Sequence, residues 1–167
     1  WDDNLKLRSK FSSKISSNLK DIIDQVDYIV LSPGISLRKT KYKKTLLMQK
    51  KKIITDIDLL YLDNRNLKSI VVTGSNGKST TCKIIAHLLH KNRYKVKLGG
   101  NIGTPVLNLK LQKDIFFVIE ASSFQLSHSQ FILPNYAVLL NITITILGII
   151  GSKLEEFIVT DLYTFLI

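Results

Sequence analysis

Apolar residues fall along this chain in short unbroken runs, separated by stretches with helical spacing. Tyr28-Ile29-Val30-Leu31 is one such run, and it stops at Ser32-Pro33-Gly34. That pattern predicts a strand buried on both faces that ends in a turn. A Lys-rich helix is expected over Thr40 to Lys51, with Leu46 and Leu47 facing inward. Ile53-Ile54 with Thr55 reads as a second short strand, and Ile57 to Leu62 as a helical turn or short helix. Asp63-Asn64-Arg65-Asn66 is polar and turn-rich, which predicts a domain junction there. Beyond it, Ile70-Val71-Val72 is a strand, and Thr80 to Lys91 a helix with Ile84, Ile85, Leu88 and Leu89 on one face. Val96 to Leu98 is a short strand before a Gly-rich loop, Ile115 to Ile119 a buried strand, and Ala137 to Ile142 another. Strands alternating with helical connections imply an α/β protein with a parallel sheet.

Composition narrows this picture without redirecting it. The 167 residues suit one domain or two small ones, and 45% hydrophobic content excludes a disordered or fibrous chain. A lone cysteine, Cys82, leaves no internal disulfide framework and no Cys-rich zinc site. Lys plus Arg is 24 against 13 Asp plus Glu, a net charge of +11. Such a balance can mark a nucleic-acid binder, but the densest run, Lys39 to Lys52, has only Arg38 and Tyr42 beside it. Without interleaved aromatics it reads as a solvated helix face, and no nucleic-acid partner is expected. The stretch Ala137 to Ile150 is broken by Asn141, Thr143, Thr145 and Gly148 and falls short of the roughly 20 residues that span a bilayer. The start, Trp1-Asp2-Asp3, is no signal segment, so a cytoplasmic protein without membrane contact is expected. His87, His90 and His128 pair with no Cys, Asp or Glu at metal spacing, and Cys82 is expected only to pack.

The candidate chemistry lies in Val72-Thr73-Gly74-Ser75-Asn76-Gly77-Lys78-Ser79-Thr80. A strand runs into a Gly-containing turn and then into Lys-Ser at a helix start. Glycines let the backbone close around an anion, and the free N–H groups of the helix N-terminus point at it. Lys78 would reach the β- and γ-phosphates and the Ser79 hydroxyl would ligate Mg²⁺. Only two residues separate Gly74 from Gly77, against four in the standard phosphate loop. The plainer alternative is a Gly-Lys turn that caps a helix.

This compact loop resembles that of the Mur ligase family, which includes the folylpolyglutamate synthases. Gly99-Gly100-Asn101-Ile102-Gly103-Thr104-Pro105, Glu120-Ala121-Ser122-Ser123-Phe124-Gln125-Leu126 and Leu140-Asn141-Ile142-Thr143 follow at the expected distances. Upstream, Leu31-Ser32-Pro33-Gly34-Ile35 and Asp56-Ile57-Asp58-Leu59-Leu60 match as well. The resemblance implies a partial Rossmann-like N-terminal domain that binds a UDP-sugar over residues 1–63. A partial central ATP-binding domain of the P-loop ATPase type would follow over 64–143. It implies ATP and Mg²⁺ as cofactors. The substrate carboxylate would attack the γ-phosphate to give an acyl phosphate, which an amine then converts to an amide. The Ser-Ser-Phe-Gln-Leu segment favours UDP-N-acetylmuramoyl-L-alanine and D-glutamate as the substrates of the whole enzyme, in peptidoglycan synthesis.

Roles are carried over position by position. Gly74, Ser75, Asn76, Gly77, Lys78, Ser79 and Thr80 would bind ATP, with Lys78 and Glu120 catalytic and Ser79 and Glu120 holding Mg²⁺. Glu120 follows the strand Ile115 to Ile119, where ligands gather in open parallel sheets. The alternative is an acid that caps the next helix. Asn101 would bind the muramoyl substrate or a phosphate, or is a left-handed turn residue. Ser122, Ser123 and Gln125 would line the substrate cleft, or cap a helix. Ser32, Pro33 and Gly34 would contact the nucleotide-sugar diphosphate, or form an ordinary turn.

The pattern breaks after Thr143. The family shows Asp-His-Leu, whereas this chain reads Ile144-Thr145-Ile146-Leu147. A downstream Lys that is carbamylated in the family has no match, nor has the third domain. The expectation is an inactive fragment of a larger ligase, with 144–167 an aberrant, frameshifted tail. Thr145-Ile146-Leu147 can be encoded by bases that, one position over, read xAC-CAT-CTT, which is Asp-His-Leu if x is G. The rival expectations are a non-catalytic nucleotide-binding module, or another Mur or folylpolyglutamate-type ligase.

Overall fold

The computed structural model describes residues 6, 10, 19–32, 35, 37, 40–110 and 112–143. Pro33, Gly34 and the tail 144–167 lie outside the described residues, so the expectations placed on them are not addressed by it. The chain divides into two compact units, Trp1–Ile53 and Ile54–Ile167.

In the first unit, helix α1 (Leu19–Ile23), strand β1 (Ile29–Val30), helix α2 (Lys43–Met48) and a 3₁₀ turn (Lys50–Lys52) lead to strand β2 (Ile53–Ile54). Ile23, Leu31, Leu37, Leu46 and Ile53 form its core, with Leu19, Ile29 and Tyr42 packed on it. The Gln49 amide donates to Asp24 Oδ1 at 2.6 Å, and Lys52 Nζ donates to the Asp24 carbonyl at 3.2 Å, a cation on the carbonyl end of α1. Two expectations are corrected here. Tyr28 and Val30 are exposed, so β1 is not buried on both faces. Leu47 is exposed as well, because it stands 100° around the helix from the buried Leu46.

The second unit contains α3 (Asp56–Asp63), β3 (Ser69–Thr73), α4 (Lys78–Lys91), β4 (Lys95–Gly100), a 3₁₀ turn (Val106–Asn108), β5 (Ile115–Glu120), α5 (Ser123–His128) and β6 (Tyr136–Leu139). Its sheet is parallel throughout, with strand order β4-β5-β3-β6. One face carries Val71, Phe117 and Ile119 against Ile57, Leu60 and Tyr61 of α3, Val106 and Leu126. The other carries Ile70, Val72 and Val118 against Cys82, Ile85, Ala86 and Leu89 of α4. Both faces of β3 and β5 are therefore covered, which is why these strands read as unbroken apolar runs.

Helix α4 buries Cys82 and packs the partly buried Ile85, Ala86 and Leu89 against the sheet. Ile84 and Leu88, expected on that packed face, are each 53% exposed, one residue and hence 100° off it. The polar segment Asp63–Asn66 is a turn inside the second unit rather than a junction. Asn64 Oδ1 accepts from the Asn66 N–H at 3.2 Å, and α3 before it shares one core with Leu67 and Val71 after it. The boundary between units lies ten residues earlier, between Ile53 and Ile54.

Cys82 is fully buried under the sheet, and burial pushes its thiol up to about 12, with Glu120 adding to the rise and Lys78 opposing it. The native thiol is expected to resist iodoacetamide at about pH 8.5 and to react once the chain is unfolded in urea. Equal rates in the two states would contradict this packing. The folded value lies above the unfolded one. Its stabilising contribution is therefore complete below about pH 8.5 and is lost as pH rises toward the folded value.

Candidate phosphate-binding site

The site lies at the C-terminal end of β3, where the chain first turns to β4 and β5 on one side and later comes to β6 on the other. Such a divergence of strand order opens a crevice outside the strand ends. Gly74 (φ 143°) and Gly77 (φ 83°) hold backbone conformations that other residues rarely adopt, and Gly77 is the N-cap of α4. The Thr81 N–H donates to the Gly77 carbonyl at 2.9 Å, the first full helical turn. The N–H groups ahead of it have no intrahelical acceptor and face the loop. Lys78 Nζ folds over the loop and donates to the Gly74 carbonyl at 2.7 Å and the Ser75 carbonyl at 3.0 Å.

Glu120 is the last residue of β5, paired in register with Val72 on β3 and Gly100 on β4. Its carboxylate is 3% exposed. Oε2 accepts from the Ser79 hydroxyl at 2.7 Å and Oε1 from the Asn101 amide at 3.3 Å. Glu120 therefore caps no helix; Ser122 does that for α5. The three residues Ser79, Glu120 and Asn101, far apart in sequence, meet here. Asn101 is held further by its N–H to the Glu120 carbonyl at 2.9 Å, and it is not a left-handed turn residue; Gly100 and Gly103 take the positive φ on either side of it. Gly100 is required twice over, because a Cβ there would overlap the Glu120 carbonyl oxygen.

Ser122, Ser123 and Gln125 divide differently. Ser122 and Gln125 form a capping box: Ser122 Oγ accepts from the Gln125 N–H at 3.2 Å, and Gln125 Oε1 accepts from the Ser122 N–H at 2.9 Å. Gln125, buried, also donates to Asp56 Oδ1 at 2.8 Å. Both side chains cap α5, as the capping alternative has it, and Gln125 also ties it to the start of α3. Ser123 is the first helical residue and partly buried. In the first unit, Ser32 is exposed, and its carbonyl accepts from the Ile35 N–H at 2.9 Å, an ordinary turn bond.

Sequence reasoning did not single out Asn141 and Thr143 as site residues, although they stand directly beyond β6 on the same edge of the sheet. Asn141 Oδ1 accepts from the Asn76 N–H at 2.9 Å, and Asn141 Nδ2 donates to the Asn76 carbonyl at 3.1 Å. An Asn and a Thr just past a parallel strand, opposite a glycine turn, were the available signal.

A glycine turn after a central buried strand, a lysine and serine opening the next helix and a carboxylate on the adjacent strand define a parallel α/β unit of the phosphate-loop class. The model of the Mur ligase middle domain matches residues 72–156, which starts at this loop and runs past Thr143. The chain belongs to the Mur ligase family. It is 47% identical over 118 residues to the UDP-N-acetylmuramoylalanine-D-glutamate ligase of Rickettsia felis, covering 71% of this chain and 26% of that one. It is 47% identical over 121 residues to the enzyme of the same name from Francisella philomiragia, covering 69% and 29%. The chain thus spans under a third of the length of these relatives. Among solved structures, the UDP-N-acetylmuramate:L-alanyl-gamma-D-glutamyl-meso-diaminopimelate ligase of Neisseria meningitides shares the fold. Its TM-score is 0.51 at 18% identity, over 94% of this chain and 57% of that one. Among the described residues, no helix is long and apolar enough to cross a membrane.

Proposed function

We propose that this chain carries the ATP-binding part of an amide ligase that joins D-glutamate to UDP-N-acetylmuramoyl-L-alanine in peptidoglycan synthesis. The observation that carries the reading is the 2.7 Å contact between Ser79 Oγ and Glu120 Oε2, beside a loop covered by Lys78. A hydroxyl and a carboxylate at that separation are hard oxygen donors suited to Mg²⁺, whose other ligands would be phosphate oxygens and water. Mg²⁺ bound there would neutralise charge on the phosphate oxygens. Lys78 would hold the β- and γ-phosphates, and the free amides at the start of α4 would receive them. The names of the relatives supply the two substrates. In the reaction so assigned, a carboxylate oxygen bonds to the γ-phosphorus as the bond to ADP breaks. The amine nitrogen then bonds to the carbonyl carbon, losing a proton, as phosphate leaves. Asn101 would orient the carboxylate-bearing substrate or a phosphate, Ser123 would face the cleft, and Ser32-Pro33-Gly34 would meet the nucleotide-sugar diphosphate.

Titration of ATP with and without Mg²⁺ tests this. The wild-type chain should bind ATP more tightly with Mg²⁺, and Glu120→Gln should remove at least about tenfold of that gain, one lost charged contact. A Mg²⁺ effect unchanged by the substitution would defeat the metal assignment. A second reading, a non-catalytic nucleotide-binding module, is favoured by one observation: Ile144-Thr145-Ile146-Leu147 stands where the family shows Asp-His-Leu. An intact, independently folding tail after Thr143, shown by amide hydrogen-exchange protection there, would favour it.

A further inference from the structure

The segment just beyond β6 is built against the phosphate loop over its whole length. The Leu140 N–H donates to the Thr73 carbonyl at 3.1 Å, and the Ser75 N–H to the Asn141 carbonyl at 3.0 Å. The Asn141 carboxamide takes both backbone groups of Asn76, at 2.9 and 3.1 Å. The Thr143 N–H donates to Ser75 Oγ at 2.9 Å, and the Ser75 hydroxyl donates to Thr143 Oγ1 at 3.1 Å. The fit is steric as well as polar. A Cβ on Gly74 would lie 3.1 Å from Leu140 Cβ and 3.2 Å from the Asn141 nitrogen and oxygen.

We infer that Asn141 is a positioning residue of the phosphate loop: its carboxamide fixes Asn76, between the two left-handed glycines, in the shape that receives phosphate. This rests on the reading of the loop as a nucleotide site. The chemistry singles out Asn at this place. A side chain that accepts from the N–H and donates to the C=O of one residue must carry both functions on one planar group, and among short side chains only the Asn amide does. A loop with only two residues between its glycines has few internal hydrogen bonds of its own. Its shape is therefore set by Asn141 and Thr143 on one side and by the Lys78 ammonium on the Gly74 and Ser75 carbonyls on the other. A consequence follows for the ligand. The Ser75 and Asn76 amides are already engaged by Asn141, so phosphate is received by the amides from Gly77 onward, at the start of α4.

The test compares wild type, Asn141→Ala, Asn141→Asp and Lys78→Ala in the full 167-residue chain. The probes are Mg²⁺-ATP and inorganic tripolyphosphate, with thermal midpoint and amide hydrogen exchange as independent readouts. Asn141→Ala should weaken both ligands about tenfold, the equivalent of one ordinary hydrogen-bond deficit in loop preorganisation. It should leave the thermal midpoint near wild type and speed exchange at the Asn76 amide. Asn141→Asp keeps the acceptor but loses the donor and brings a negative charge, so it should weaken tripolyphosphate further still. In the wild type, the Ser75 and Asn76 amides should be protected before ligand is added. Wild-type affinity in both Asn141 variants, with Lys78→Ala impaired, would overturn the positioning role alone. Wild-type affinity in Lys78→Ala would instead overturn the nucleotide reading beneath it. Affinity lost only in step with the thermal midpoint would reduce Asn141 to a structural residue and overturn the inference.

Discussion

Lys78→Ala is expected to lower the affinity for Mg²⁺-ATP by about 100-fold, the loss of roughly 3 kcal/mol of charge-assisted contact with phosphate. Without ligand, Lys78 Nζ donates to the Gly74 and Ser75 carbonyls at 2.7 and 3.0 Å, in the mouth of the loop. These carbonyls hold the ammonium where the outer phosphates would arrive, so binding exchanges two neutral acceptors for charged ones at little conformational cost. The side chain is only partly buried. Truncation should therefore change stability far less than affinity, and the two can be separated by urea unfolding. Lys78→Arg keeps the charge but sets a planar fork where a compact ammonium sits between two carbonyls, so it should recover only part of the affinity. Equal affinity of wild type and Lys78→Ala in equilibrium titration would remove the nucleotide site.

How much of this could be read in the sequence depended on whether a property was local. The turn Gly74–Gly77, the lysine and serine after it and the continuous apolar runs of β3 and β5 are local, and each was legible. The pairing of Ser79 with Glu120 was legible only through resemblance, since 41 residues separate them and nothing in either neighbourhood specifies the contact. Exposure was the weakest inference. Ile84, Leu88 and Leu47 are apolar and adjacent to the buried Leu46 or the partly buried Ile85 and Leu89, and pattern alone cannot say which edge of a wide apolar stripe meets the core. The turn at Asp63–Asn66 has every mark of a linker. It lies inside the second unit because Tyr61 before it and Leu67 after it are buried in one cluster, a fact of packing that polar composition does not record. The double use of Ser122 and Gln125 was undecidable for the same reason: a Ser followed three residues later by Gln is both a cap signature and a pair of polar candidates for a cleft.

Asp58 carries the largest expected effect on stability. Its side chain is fully buried, yet among the described residues no lysine, arginine or histidine donates a hydrogen bond to it. Oδ2 accepts from the Thr55 N–H at 2.7 Å and the Thr55 hydroxyl at 3.1 Å, closing the capping box of α3. Oδ1 accepts from the Gln130 N–H at 2.9 Å and the Phe131 N–H at 2.7 Å, in the segment that leads into β6. One carboxylate thus anchors two stretches of backbone about 70 residues apart. Asp58→Ala would remove the acceptor of three N–H groups, that of Thr55 buried and those of Gln130 and Phe131 in a part-buried setting, and a buried N–H left without an acceptor costs about 1–3 kcal/mol. Partial access of water should reduce the sum, and an overall loss of about 3–5 kcal/mol is expected in urea unfolding. Asp58→Asn keeps the shape and one acceptor oxygen, so it should lose about half as much. That ordering separates lost acceptors from lost volume, since a mere cavity would spare the Asn variant altogether. A change below about 1 kcal/mol for Asp58→Ala would show that water satisfies these amides and that the carboxylate is not what fastens α3 to the segment before β6.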